Sequence, residues 1–166
     1  GIAGGRARVI SAINTALGES DTSVMLLLEN TAGEKNSVGS SFEHIRGIMG
    51  GIENHTRTGV CFDTCHAFAA GYELRTEKGL ADTLSQFEDH IGIRNLKIIH
   101  LNDSKGDRGS GLDRHEHIGM GFIGENGFRN LLCHPVLSAL PLICETPVDE
   151  RRDNGGNIAK VRELAG

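Results

Sequence analysis

No stretch of the 166-residue sequence approaches the roughly 20 consecutive apolar residues that a membrane-spanning helix needs, which excludes such a helix. The first residues lack the basic-then-apolar pattern of a secretory leader, so a protein that is intracellular (cytoplasmic or nuclear) and not secreted is expected. Basic residues are not in excess: 17 Lys and Arg face 22 Asp and Glu, for a net charge of −5. That balance ordinarily speaks against nucleic acid, whose phosphates are met by Lys and Arg. Divalent cations can outweigh every other local charge, so the balance alone excludes nothing. Cysteine is scarce, and its positions (61, 65, 133 and 144) form no disulfide pattern. Cys61 and Cys65 have a zinc-like spacing, but no second pair answers them, and the thiols read as buried and reduced. A reducing compartment follows. Repeats, low-complexity tracts and linkers are also missing, so residues 1–166 read as one domain. The start at Gly1 rather than Met suggests processing or a fragment.

Four apolar runs are present, and each stops on a residue that can bind metal. Val24 to Leu28 runs into Glu29, and Gly59 to Phe62 into Asp63. Leu96 to Ile99 runs into His100, and Leu140 to Cys144 into Glu145. Between them lie helical spacings: Val9, Ile10, Ile13 and Leu17; Phe42, Ile45, Ile48 and Met49; Leu80, Leu84, Phe87 and Ile91; Phe128, Leu131 and Leu132; and Ile158, Val161 and Leu164. Strands separated by helical crossovers predict an α/β fold with about four parallel strands, apolar because both faces are covered. A (β/α)8 barrel takes eight strands and about 250 residues, so the chain is read as half of a TIM barrel, one partial domain. A half barrel leaves two open sheet edges, which predict marginal stability or self-association.

The C-terminal ends of parallel strands are where α/β active sites form. Glu29, Asp63, His100 and Glu145 at that rim therefore read as one metal site. A lone acid at a strand end is more often a helix N-cap, but four at equivalent positions argue for a shared ion. His66 follows Asp63 by three residues, within reach of a neighbouring ion if a helix begins there. Asp113 and His115, two apart, point to the same side if extended. His117 continues that alternation, as an extra ligand or, preferably, as a partner that orients one. His44, His55, His90 and His134 have no ligand companions and read as surface or core histidines. Gly119 and Gly121 suggest a close backbone approach or an awkward turn. Lys105, Arg108 and Arg114 are the basic residues nearest the expected pocket, as a solvated loop face or as substrate contacts.

These motifs, in order, are Leu28 to Gly33, Gly59 to Gly71, His100 to Lys105, Asp113 to His115 with Ile118 to Gly121, and Leu142 to Pro147. Together they closely resemble the endonuclease IV family, the second type of apurinic/apyrimidinic endonuclease, across nearly the whole chain. The resemblance implies the C-terminal half of an eight-stranded barrel with a trinuclear zinc centre, Mn2+ being possible in some sites. It implies metal-ligand roles for Glu29, Asp63, His66, His100, Asp113, His115 and Glu145. By that analogy Glu29 bridges two ions; Asp63, His100 and Glu145 complete the second, and His66, Asp113 and His115 hold the third. The family's two further histidines for the first ion have no counterpart ahead of Glu29, so that ion's set is incomplete here. The implied activity is hydrolysis of the phosphodiester 5′ of abasic sites in double-stranded DNA, a step of base excision repair, with Glu145 and Glu29 as catalytic carboxylates. A sugar isomerase or epimerase of a related barrel, with one divalent ion on the strand-end quartet, is the alternative. A metal-binding fragment without turnover is the other.

Overall fold

A computed structural model describes all residues from Gly1 to Gly166. Helices and strands alternate: α1 (Ile2–Glu19), β1 (Leu26–Glu29), α2 (Phe42–Met49), β2 (Thr58–Asp63), α3 (Thr64–Ala70), α4 (Glu77–His90), β3 (Leu96–His100), β4 (Asp103–Ser104), β5 (His115–Glu116), α5 (Gly124–Cys133), β6 (Leu142–Ile143) and α6 (Asn154–Ala165). Strands β1, β2, β3 and β6 form one parallel sheet in that order, leaving β1 and β6 as its edges. This is the partial barrel architecture that the alternation predicts.

Four of the six helices, α2, α3, α4 and α6, start where a side chain accepts a free amide of the first turn. Ser41 caps α2 by accepting from His44 N–H, and Thr76 caps α4 by accepting from Gly79 N–H. Asp63 and Asp153 do the same for α3 and α6. Their apolar faces close onto the outer face of the sheet. Phe42 stacks on Tyr72 at 4.1 Å between ring centres and meets Phe87 edge-on at 5.2 Å, with Val60, Phe62 and Ile99 in the same core. Tyr72 also accepts the Phe42 N–H at 3.0 Å, so one ring packs the core and fixes the start of α2.

Several expectations need correction. The strands are not all covered on both faces: β2 is buried throughout, but β1 buries only Leu28 and β6 nothing, because both are edges and the inner face carries no layer. The first run loses Val24 and Met25, which are exposed ahead of β1. The last is a two-residue strand, since Pro141 has no amide to donate, although its carbonyl accepts the Ile99 N–H at 3.0 Å. The stretch after His100 adds a small antiparallel pair, Asp103 opposite Glu116 and Ser104 opposite His115. On α1, Ile13 and Leu17 are buried as the stripe predicts, while Val9 is exposed.

Candidate metal centre

Register decides which side chains share the rim. Glu29 lies level with Cys61, and Asp63 with His100. The second pairing depends on a bulge: Val60 faces Leu96 but Cys61 faces Ile98, so Lys97 is an extra residue in β3. Without it Asp63 would face Ile99 and His100 would turn to the other side of the sheet, because a one-residue slip reverses every side chain. Two residues beyond β6, Glu145 completes the group. Ligand atoms of Glu29, Asp63, His100 and Glu145 all lie within 4.8 Å of one another. A second group, Asp63, His66 and His115, meets the same limit. Asp113 joins it, with Oδ1 3.1 Å from His66 Nε2 and 3.6 Å from His115 Nε2. All seven residues singled out in the sequence thus stand in two adjoining clusters that share Asp63.

Local structure explains how each arrives. Asp63 Oδ1 accepts the His66 N–H at 2.8 Å, capping α3 and turning the His66 ring back over the strand end. The ordinary role for a strand-end acid and the site role coincide in this residue. His66 Nδ1 is 2.9 Å from the Asn30 carbonyl, and His115 Nδ1 is 2.9 Å from the Glu145 carbonyl. Carbonyls only accept, so each imidazole carries a hydrogen on Nδ1 and leaves Nε2 as the atom that takes up a proton or a cation. Those two Nε2 atoms face each other at 3.4 Å. Two lone pairs at that distance repel unless a proton or a cation lies between them. The donor set fits a divalent metal on that ground: four carboxylates and three imidazoles converge, and the only ion pairs the carboxylates make are with the histidines.

The electrostatics point the same way. Burial pushes the fully enclosed Asp63 carboxyl above its ordinary range, against the pull of His66 and His115. For His66, burial works downward, but Glu29, Asp63 and Asp113 outweigh it and raise the ring to about 9. Glu29 is held low: burial raises it, and His66 and His100 more than offset that. The protein gathers negative charge here and, without a cation, balances it with protons on imidazole.

Several neighbours escape a sequence reading. Asn102 is fully buried and donates to Asp63 Oδ2 at 2.6 Å, while its Oδ1 accepts the Glu145 N–H at 2.7 Å. Asn30 braces Asp63 through both backbone groups, at 2.8 and 3.0 Å. Both follow strand-end donors closely, and the available signal was a polar residue continuing an apolar run. Cys61 comes within 4.8 Å of Glu29 and His100, yet burial first and the Glu29 charge second push its thiol up to about 12. His117 is neither ligand nor ligand partner: it is fully buried against Asp149 (2.9 Å) and Asn157 (3.0 Å). Gly119 and Gly121 do serve a close backbone approach, to Asp103, whose carboxylate accepts five backbone amides. Arg108 pairs with Glu73 at 3.3 Å, and Arg114 turns onto the Asp113 carbonyl at 2.9 Å.

The chain has relatives among known proteins. The family described as "Xylose isomerase-like TIM barrel" matches residues 2–164. A "Probable endonuclease 4" of Methanoculleus marisnigri is 62% identical over the whole chain, which spans 59% of that relative. An "Apurinic-apyrimidinic endonuclease 1" of Plasmodium falciparum is 48% identical over 75% of this chain and 21% of its own length. Among solved structures, endonuclease IV from Thermus thermophilus superimposes with a TM-score of 0.80 at 33% identity, covering 96% of this chain and 56% of that one. The chain therefore spans somewhat over half the length of the relatives it matches most fully.

Proposed function

Since this chain belongs to the xylose isomerase-like TIM barrel family, we propose that it forms the metal-holding part of a DNA-repair hydrolase that cuts the phosphodiester 5′ of abasic sites in double-stranded DNA. The observation that carries this reading is the second cluster. One ion on Glu29, Asp63, His100 and Glu145 suffices for a sugar isomerase and leaves His66, Asp113 and His115 without a purpose. Two adjoining cation sites suit phosphodiester hydrolysis, where attacking and departing oxygens both need stabilisation. The names of the relatives at 62% and 48% identity agree with it.

The donor types suit zinc, with Mn2+ an acceptable substitute. Bound divalent ions would supply acidified water, from 15.7 toward a pKa of about 7, and neutralise charge on the phosphodiester. The chain's own residues supply the rest. Glu145, exposed, has Oε2 3.1 Å from His100 Nδ1 and its backbone pinned by Asn102; in this reading it would orient an attacking water and take its proton. Glu29, whose Oε1 lies 3.2 Å from His100 Nδ1 and 3.4 Å from His66 Nδ1, would help hold the ion of the strand-end quartet and would be the carboxylate it shares with the ion whose donor set is incomplete here. Abasic DNA is the partner because a nucleotide without a base is extruded from the duplex at little energetic expense. The open edges of β1 and β6 make association with a further copy or with more barrel the accompanying expectation.

The test counts metal and follows incision. Metal-free chain dialysed against limiting zinc is expected to hold at least two ions, and His115→Ala at least one fewer. A labelled duplex with one abasic analogue is the substrate, with an aldose as control. One ion in both proteins, together with aldose isomerisation and no incision, overturns the proposal.

A further inference from the structure

The two clusters sit on separate segments: Glu145 follows β6, and His115 begins β5. One direct link joins them, His115 Nδ1 to the Glu145 carbonyl at 2.9 Å. A second link lies farther along both segments. Arg151 reaches back to Glu116, the residue next to His115, and makes two parallel hydrogen bonds, Nη1 to Oε2 at 3.0 Å and Nη2 to Oε1 at 2.9 Å. The same guanidinium holds Asp149 through Nε at 3.1 Å and Nη2 at 2.7 Å. Asp149 in turn meets the buried His117 at 2.9 Å, and His117 meets Asn157 of α6. Glu116 is itself buried and also accepts the His117 N–H at 2.8 Å. The stretch from Glu145 to Arg151 is thereby tied to β5 at both ends. A planar fork on a carboxylate fixes distance and orientation together, which a flexible ammonium does not.

Resting on the function proposed above, we propose that Arg151 is a positioning residue: its fork on Glu116 holds the Glu145 segment and the His115 strand in register, so that the two metal clusters form as one unit. None of these network groups contacts the expected ions; the effect passes through the backbones of His115 and Glu145. Partners of metal ligands affect affinity by about 10-fold to 100-fold when removed. Arg151 stands one residue beyond the direct partners of a ligand, so Arg151→Gln is expected to weaken one of the two ions by about tenfold, the lower end of that range. Glu116→Gln should act in the same direction, and the double variant should cost less than the sum of the two singles, because they share the fork.

The measurement is a Co2+ titration of the whole chain, followed by visible absorption and calorimetry, with thermal unfolding of the metal-free proteins alongside. Arg151→Lys, which keeps the charge without the fork, serves if Arg151→Gln does not fold, and the same weakening is expected from it. A variant whose unfolding temperature falls while both ions bind as in the wild type overturns the clamp alone. A wild-type chain that takes up only one ion overturns the two-cluster reading and the clamp together.

Discussion

Asp103 is the most demanding test of how the rim is built. It is fully buried at the start of β4, with Oδ1 accepting the amides of Ser104 (2.8 Å) and Ile123 (3.0 Å). Oδ2 accepts those of Gly119 (3.0 Å), Gly121 (2.9 Å) and Gly124 (3.3 Å). Burial pushes this carboxyl upward, and the amides pull it back. Asparagine has nearly the same shape but offers one acceptor and one donor. Whichever way it sits, its NH2 faces amides that also donate. With the NH2 at the Oδ1 position two amides lose their acceptor, and the opposite orientation strands three. A buried unpaired donor costs about 1–3 kcal/mol, so the better orientation of Asp103→Asn loses about 2–6 kcal/mol. Removing a buried charge returns part of that, which leaves an expected loss of about 1–4 kcal/mol. Urea unfolding of wild type and variant at pH 7, metal-free and followed by far-ultraviolet circular dichroism, reads the difference directly. A loss below about 1 kcal/mol, at unchanged denaturant dependence, would refute the argument that this carboxylate organises the loop from Gly119 to Gly124.

Other consequences are equally concrete. With His66 raised to about 9, the metal-free chain carries a proton there at pH 7, so zinc binding should release at least one proton; calorimetry in buffers of different ionisation enthalpy that finds none contradicts the assignment. Because that folded value lies above the ordinary 6.5, the His66 contribution to metal-free stability is complete below pH 6.5 and lost as pH rises through about 9. Melting temperature should fall across that window, and His66→Gln should flatten the profile. At Gly121 an added Cβ would lie 2.6 Å from Asp103 Oδ1 and against the Ser104 carbonyl. Gly121→Ala should therefore destabilise by about 1–3 kcal/mol in the same unfolding assay, and a neutral result is the contrary outcome.

The rim was legible because chemistry and pattern coincide there: a run of apolar residues ends where the strand leaves the core, and the next polar side chain marks the end. That reasoning found Glu29, Asp63, His100 and Glu145, and helical spacing found His66. It could not find the Lys97 bulge, since a residue added to a strand leaves no mark in composition, although His100 needs it to face Asp63. Nor could it tell His117 from His115: both belong to the same alternation, and only the position of Asp149 and Asn157 separates a core histidine from one that faces the donor cluster. Burial of the edge strands was overestimated for a related reason. An apolar run reports what could be covered, not what is.

One carboxylate begins α3 and also stands in both donor clusters. Whatever loosens the first turn of that helix displaces an oxygen from each, and a cation that grips Asp63 tightens the helix in return. With a cation bound there, fraying at Thr64 and its escape would be a single event seen from two sides, so amide exchange at His66 should slow when divalent metal is added.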